Sequence, residues 1–188
     1  SEKVLLKILE SISKNKEVIP LIIKNNKSSE YTRKHGNLCA IICIIVAKKL
    51  NINSEKPILN LVLASFLQDI GIENKNLCSL LDNDSDSFIA LDFKDRDDYL
   101  SHPNNSFHII GNLKSVDKEV INIVLEQHEN ASGTGFPNKI DESITDLGLI
   151  HNIAGKISRM ILNNIDNSKL ALYFDNDLSL YKSTKNTR

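Results

Sequence analysis

The sequence predicts an all-α protein, a helical bundle of about eight helices, and three observations carry that prediction. Apolar residues recur at helical spacing in almost every segment of the 188-residue chain, and no strand-length alternation lies between hairpin turns. Serines, aspartates and glycines also stand where helices would begin and stop.

Taken in order, Val4, Leu5, Ile8, Leu9 and Ile12 give a first helix, and a lysine-rich link leads to a second over Val18–Ile23. These two form an N-terminal appendage, residues 1–27. Ser28 or Ser29 offers an N-cap, with Glu30 suited to the first turn, for a long helix reaching Leu50. Tyr31, His35, Cys39 and Cys43 follow one another at intervals of four and share a face of it. Ser54 starts the next helix, and Pro57 is tolerated in its first turn. The run Ile58–Ile70 is apolar nearly all round, so this helix is central, yet it ends in the polar pair Gln68-Asp69 before Gly71. Such a pair must be hydrogen-bonded, liganded or open to a pocket.

From Asn74 to Asp98 the pattern weakens to a short helix and a variable loop, and order returns near Tyr99 with a helix bearing His102, Pro103, Phe107, Ile109 and Ile110. Ser115 or Asp117 caps a helix running to Gln127, and after the turn at Phe136-Pro137, Asp141 or Ser143 caps one built on Leu147, Ile150, Ile153, Ile157 and Ile161. Residues 28–165 make the main domain, and 166–188 hold a last amphipathic helix, Leu170–Tyr181, and a polar tail.

Composition excludes several functions. A formal net charge of −1 lacks the basic footprint of a protein that binds polymeric nucleic acid. The apolar run Leu38–Ala47 is about half the ~20 residues that span a bilayer, and no signal-peptide pattern opens the chain, so no membrane role is expected. The three cysteines, Cys39, Cys43 and Cys78, are odd in number and set among aliphatic residues, as in a reduced cytoplasmic protein. Asp82, Asp84 and Asp86 alternate like the opening of a calcium loop. Ser87 and Phe93 stand where that loop needs its glycine and its glutamate, so the acidic stretch reads as an exposed connector.

The chemistry concentrates in Gln127-His128-Glu129-Asn130-Ala131-Ser132-Gly133-Thr134-Gly135-Phe136-Pro137. An apolar run ends in an imidazole and a carboxylate and then turns through two glycines and a proline, forming a plausible pocket wall. With His35, the Gln68-Asp69 pair and His102, these are the polar interruptions of the helical pattern. Imidazoles and carboxylates aimed inward from several helices of a bundle make a metal site, whereas any one histidine alone reads as a core residue bonded to a backbone carbonyl. His108 lies off the face of His102 and reads that way.

In order and spacing, His35, the Asp69-Ile70-Gly71 helix end, His102-Pro103, His128-Glu129 and Gly133-Thr134-Gly135-Phe136-Pro137 resemble the HD-GYP family of cyclic di-GMP phosphodiesterases, a branch of the HD-domain superfamily. The similarity runs from about Tyr31 to Ile161, and Phe136 replaces the family's tyrosine. The resemblance implies a bundle in which histidines and aspartates hold iron, manganese or similar ions that generate hydroxide and bind the phosphodiester. It assigns His35, Asp69, His102 and His128 as metal ligands, and Gly133, Gly135, Phe136 and Pro137 to ligand binding.

Departures from the family pattern are as informative. Gln68 and Gln127 replace histidines, Ile72 replaces a lysine that would meet substrate phosphate, and Tyr31 replaces a glutamate that some members use for a third metal. The aspartate expected one turn after His151 falls on Gly155, although a one-turn shift would bring in His151 or Asn152 instead. Glutamine is neutral and cannot replace imidazole on a transition metal.

The expectation is a degenerate domain that holds no metal or a single divalent ion, has lost catalysis, and acts in signalling by binding cyclic di-GMP or a protein. Lys139 and Arg33 are the cations nearest the expected site in sequence, and both read as ordinary surface charges. An active phosphodiesterase of reduced metal content and a metal-free structural module similar to the HDOD type are the alternatives.

Overall fold

The computed structural model describes residues 16–80, 86–130, 133–140, 143–166, 168–169 and 171–172. These form seven α-helices and one 3-10 turn: α1 Val18–Ser28, α2 Glu30–Lys49, α3 Glu55–Leu67, the turn Lys75–Ser79, α4 Asp86–Ile89, α5 Phe93–Gly111, α6 Lys118–Leu125 and α7 Asp146–Leu162. Among the described residues, extended pairing is limited to one isolated antiparallel bridge, His128 with Phe136. The all-α reading is therefore correct. The first expected helix, over Val4–Ile12, and the last, over Leu170–Tyr181, lie largely outside the described residues.

Local chemistry sets the helix starts. Ser29 caps α2 by accepting the amide of Thr32, Asp117 caps α6 through Glu119 N, and Thr145 caps α7 through Gly148 N. Three sequence boundaries need correction. α5 starts at Phe93, well before Tyr99, because Asp92 accepts the amide of Asp95 and nucleates a turn within the acidic stretch. Thr145 rather than Ser143 or Asp141 starts α7, since its hydroxyl also donates to the carboxylate of Glu126 and is held in place from α6. α6 stops at Leu125, so Gln127, His128 and Glu129 leave the helix and turn toward the loop that follows.

α2 packs along α3 and α7, while α6 bridges α3 and α5. Cys39, Cys43, Leu61, Ala64, Leu67, Ile123, Val124 and Ile150 fill the shared core. α1 closes one side through fully buried Val18. A second cluster, with Ile72, Leu77, Cys78, Phe88, Tyr99 and Phe136, lies where the loops meet α5. The acidic connector is not idle. Asp98 accepts the amides of Glu73 and Asn74, and Asp95 accepts from the Asn74 side chain, which pins the 3-10 turn to α5.

Gly71 lets α5 approach the end of α3. A Cβ there would lie 2.3 Å from Ser106 N and 2.8 Å from Asn105 C, both main-chain atoms that cannot yield cheaply. Gly71→Ala is expected to cost about 2–3 kcal/mol, lowering the melting temperature by roughly 5–10 °C. An unchanged melting curve would contradict the close approach.

Candidate functional site

Asp69 stands just beyond α3, and its side chain is the hub of the site at 3% exposure. His35 from α2 brings Nε2 to 3.8 Å from Asp69 Oδ2, and His102 from α5 brings Nε2 to 3.8 Å from Oδ1. His128 completes the group, its ring 5.0 Å from that of His102 and nearly perpendicular to it. The structure thus brings His35, Asp69, His102 and His128 together from separate parts of the chain.

The two inner histidines are oriented by their second nitrogens. Pro103 removes one amide hydrogen from α5, the one that would have bonded to Tyr99 O. That freed carbonyl instead faces Nδ1 of His102 and accepts its hydrogen. At His35, Nδ1 lies 2.5 Å from Ser158 Oγ, whose own hydrogen goes to Gly155 O at 2.8 Å. Ser158 must therefore accept, and His35 must donate. Both rings are left with a bare Nε2 lone pair aimed at the Asp69 carboxylate, and neither Nε2 has a hydrogen-bond partner, nor does Asp69 Oδ2. Burial drives the histidines toward the neutral form, His102 to about 4 and His35 well below the usual value, with the positive charge of Arg159 adding to the effect.

The turn after His128 closes over this cluster. Gly133 takes a φ of 68°, in the left-handed region. Gly135 passes so close to the chain that a Cβ would sit 2.4 Å from His128 O. Phe136 N then donates to His128 O at 3.1 Å, and the Phe136 ring stacks on the His128 ring at 4.3 Å and 11°. Fully buried Glu129 holds the far side, its two carboxylate oxygens accepting the amides of Asn138 and Ile140. Pro137 follows Phe136 through a cis peptide. The glycine-rich stretch is thus a buckle across the site, with Phe136 only 6% exposed.

The replaced positions also converge. Gln127 donates from Nε2 to Gln68 O at 2.9 Å, while its Oε1 and both polar side-chain atoms of Gln68 find no partner. Gly155 does face the site, for a Cβ there would lie 3.4 Å from Arg159 Nη1 and 3.8 Å from Gln68 Oε1. His151 points away to Cys39 Sγ, and Asn152 donates to Gln127 O and Glu129 O, securing the stretch after α6. Ile72 is core. Lys75 reaches back to Asp69 O at 2.6 Å and Asn25 Oδ1 at 3.2 Å, tying the loop to α1. Tyr31 sits at the edge, its hydroxyl accepting from Asn163 Nδ2 at 3.4 Å.

Arg159, one turn after Gly155, escaped the sequence reading. It is 4% exposed, and Nη2 lies 3.2 Å from Nε2 of His128. The same nitrogen lies 3.4 Å from Nδ1, so a permanently charged donor sits against both ring nitrogens of His128. The signal was a charged residue among Ile153, Ile157 and Met160 on the apolar side of α7.

Residues 17–147 match the HD domain family. The chain belongs to the HD-domain family. Within it, this HD domain is similar to the solved structure of Bd1817, a HDG"Y"P protein from Bdellovibrio bacteriovorus, with a TM-score of 0.63 and 26% identity. The similarity covers 74% of this chain and 44% of the Bd1817 chain, so the match spans less than half of that protein. No curated relative matches the sequence. The HD-domain match and the helical fold agree with each other.

The family's metal centre does not fit the residues present. The Arg159 guanidinium sits against both ring nitrogens of His128, Gln68 and Gln127 are neutral amides, and Gly155 has no side chain to offer. Among the described residues, no group of three or more His, Cys, Asp or Glu side chains is placed to hold an ion. No helix among the described residues is long and apolar enough to cross a membrane.

Proposed function

We propose that this chain is an HD-GYP-type domain that has lost cyclic di-GMP hydrolysis and serves cytoplasmic signalling by binding rather than by turnover. The observation that carries this reading is the convergence of Gln127 and Gly155 on Gln68, the chain neighbour of Asp69, at three positions where the family places charged or imidazole ligands. A two-metal centre draws its hydroxide and its grip on the phosphodiester from those ligands. Even changes to groups that only orient ligands cost roughly 10–100-fold in metal affinity or activity. The free, buried cysteines suit a reducing compartment.

The cover over the site favours a protein partner over a nucleotide. Asp69, His35 and His102 are each at most 3% exposed, and Phe136 lies stacked on the most accessible ligand, so a phosphate would have to displace the buckle. Calorimetry with cyclic di-GMP is expected to show no heat of binding. Incubation with cyclic di-GMP and Mn2+ or Fe2+ under anaerobic conditions is expected to yield no linear product. Turnover that disappears in Asp69→Ala would overturn the reading.

A further inference from the structure

Two imidazole lone pairs and a carboxylate facing one another make a cluster of acceptors with no proton between them. Such a cluster is stable in a buried place only if positive charge lies close by. Glu126 and Glu129, the other buried carboxylates described, are satisfied by loop amides and Thr145, whereas Asp69 Oδ2 has no hydrogen-bond partner. Arg159 is the buried cation among the described residues, held inside the same group.

We propose that the Arg159 guanidinium is the resident cation of this site, standing in for the metal charge by engaging His128 and neutralising Asp69, in space that Gly155 leaves open. The contact with His128 and the room at Gly155 carry it. Nη2 meets Nε2 of His128 at 3.2 Å, and Nη1 lies 3.4 Å from the point where a side chain at 155 would begin. An aspartate at that position would begin in ordinary contact with the guanidinium and compete with Asp69 for its charge. Arg159 is also the strongest positive influence on the Asp69 carboxyl, opposing the upward push of burial. A planar, permanently charged guanidinium suits this place better than an ammonium, being less strongly hydrated and still charged when buried.

The inference rests on the non-hydrolysing reading above and predicts two results. In a double-mutant cycle, Arg159→Met leaves the Asp69 carboxylate uncompensated, and Asp69→Asn removes that charge. The double variant should melt about 5 °C or more above Arg159→Met alone. A double variant no better folded than Arg159→Met overturns the proposal, including the case in which neither folds. In the second arm, Arg159→Ala/Gly155→Asp frees His128 and restores a carboxylate, and titration with Mn2+ alone should show binding at least tenfold tighter than to the unsubstituted protein. Equal Mn2+ affinity in the two would overturn it as well. Metal-dependent hydrolysis by the unsubstituted chain would sink the reading of the previous subsection, whereas an additive cycle would sink the present one alone.

Discussion

Gly135→Ala is expected to detach the buckle from the site and lower stability by about 3 kcal/mol or more. The added Cβ would lie 2.4 Å from His128 O, 2.6 Å from Glu129 Cα and 2.9 Å from Asn130 N. All three are main-chain atoms of the segment that Gly135 runs beside, so relief requires the two stretches to separate. Separation breaks the Phe136 amide bond to His128 O and unstacks Phe136 from His128. The melting temperature should fall by roughly 10 °C, and amide exchange at Phe136 should accelerate. A variant that melts normally with Phe136 still protected would contradict the close approach. Gly133→Ala is milder, because it meets the strain of a positive φ at a single residue.

Acid should unfold the domain early. His102 is pushed down to about 4 from a usual 6.5, and His35 and His128 are also held well below that value, with burial the leading cause in each. The unfolded chain takes up protons near pH 6.5 that the folded chain refuses until much lower pH. Their contribution to stability is therefore present above about pH 6.5 and lost as pH falls through the interval toward 4. For His102 alone the loss amounts to about 3 kcal/mol across that range. Asp69 works in the opposite direction, since burial raises its carboxyl and favours the folded form on protonation. Glu126, also raised by burial, acts in the same sense as Asp69, but two carboxyls do not offset three imidazoles. Melting temperature followed from pH 7 to pH 4.5 should drop steeply, and His102→Gln should flatten part of the slope. A flat profile would mean that the histidines are not buried as neutral rings.

The helical architecture was legible because each long helix carries an apolar face at the 3.6-residue period. Its boundaries were less so where hydrophobicity is low. Asp92 begins α5 by capping it within a stretch that looks like solvated connector, and Thr145 begins α7 because Glu126 of a different segment fixes its hydroxyl. His35, Asp69, His102 and His128 could be picked out as polar interruptions of apolar helices, and they do meet. The role of Pro103 in turning His102 could not be read from spacing, since it depends on which carbonyl the proline leaves free.

Arg159 shows the limit most clearly. A basic residue in the last turn of a helix ordinarily complements the helix dipole at the surface. Its burial follows from α7 lying along α2, a contact between residues more than a hundred positions apart, as Ser158 with His35 also shows. Gly155 likewise has meaning only beside the side chain that uses its space.

The central claim, a site whose charge is balanced by the protein rather than by a pair of metal ions, is tested most directly by the metal content of the anaerobically purified full chain. The structure predicts well under one iron or manganese ion per chain, unchanged when cells are grown with excess of either metal. About two ions per chain, as in two-metal hydrolytic sites, would contradict it.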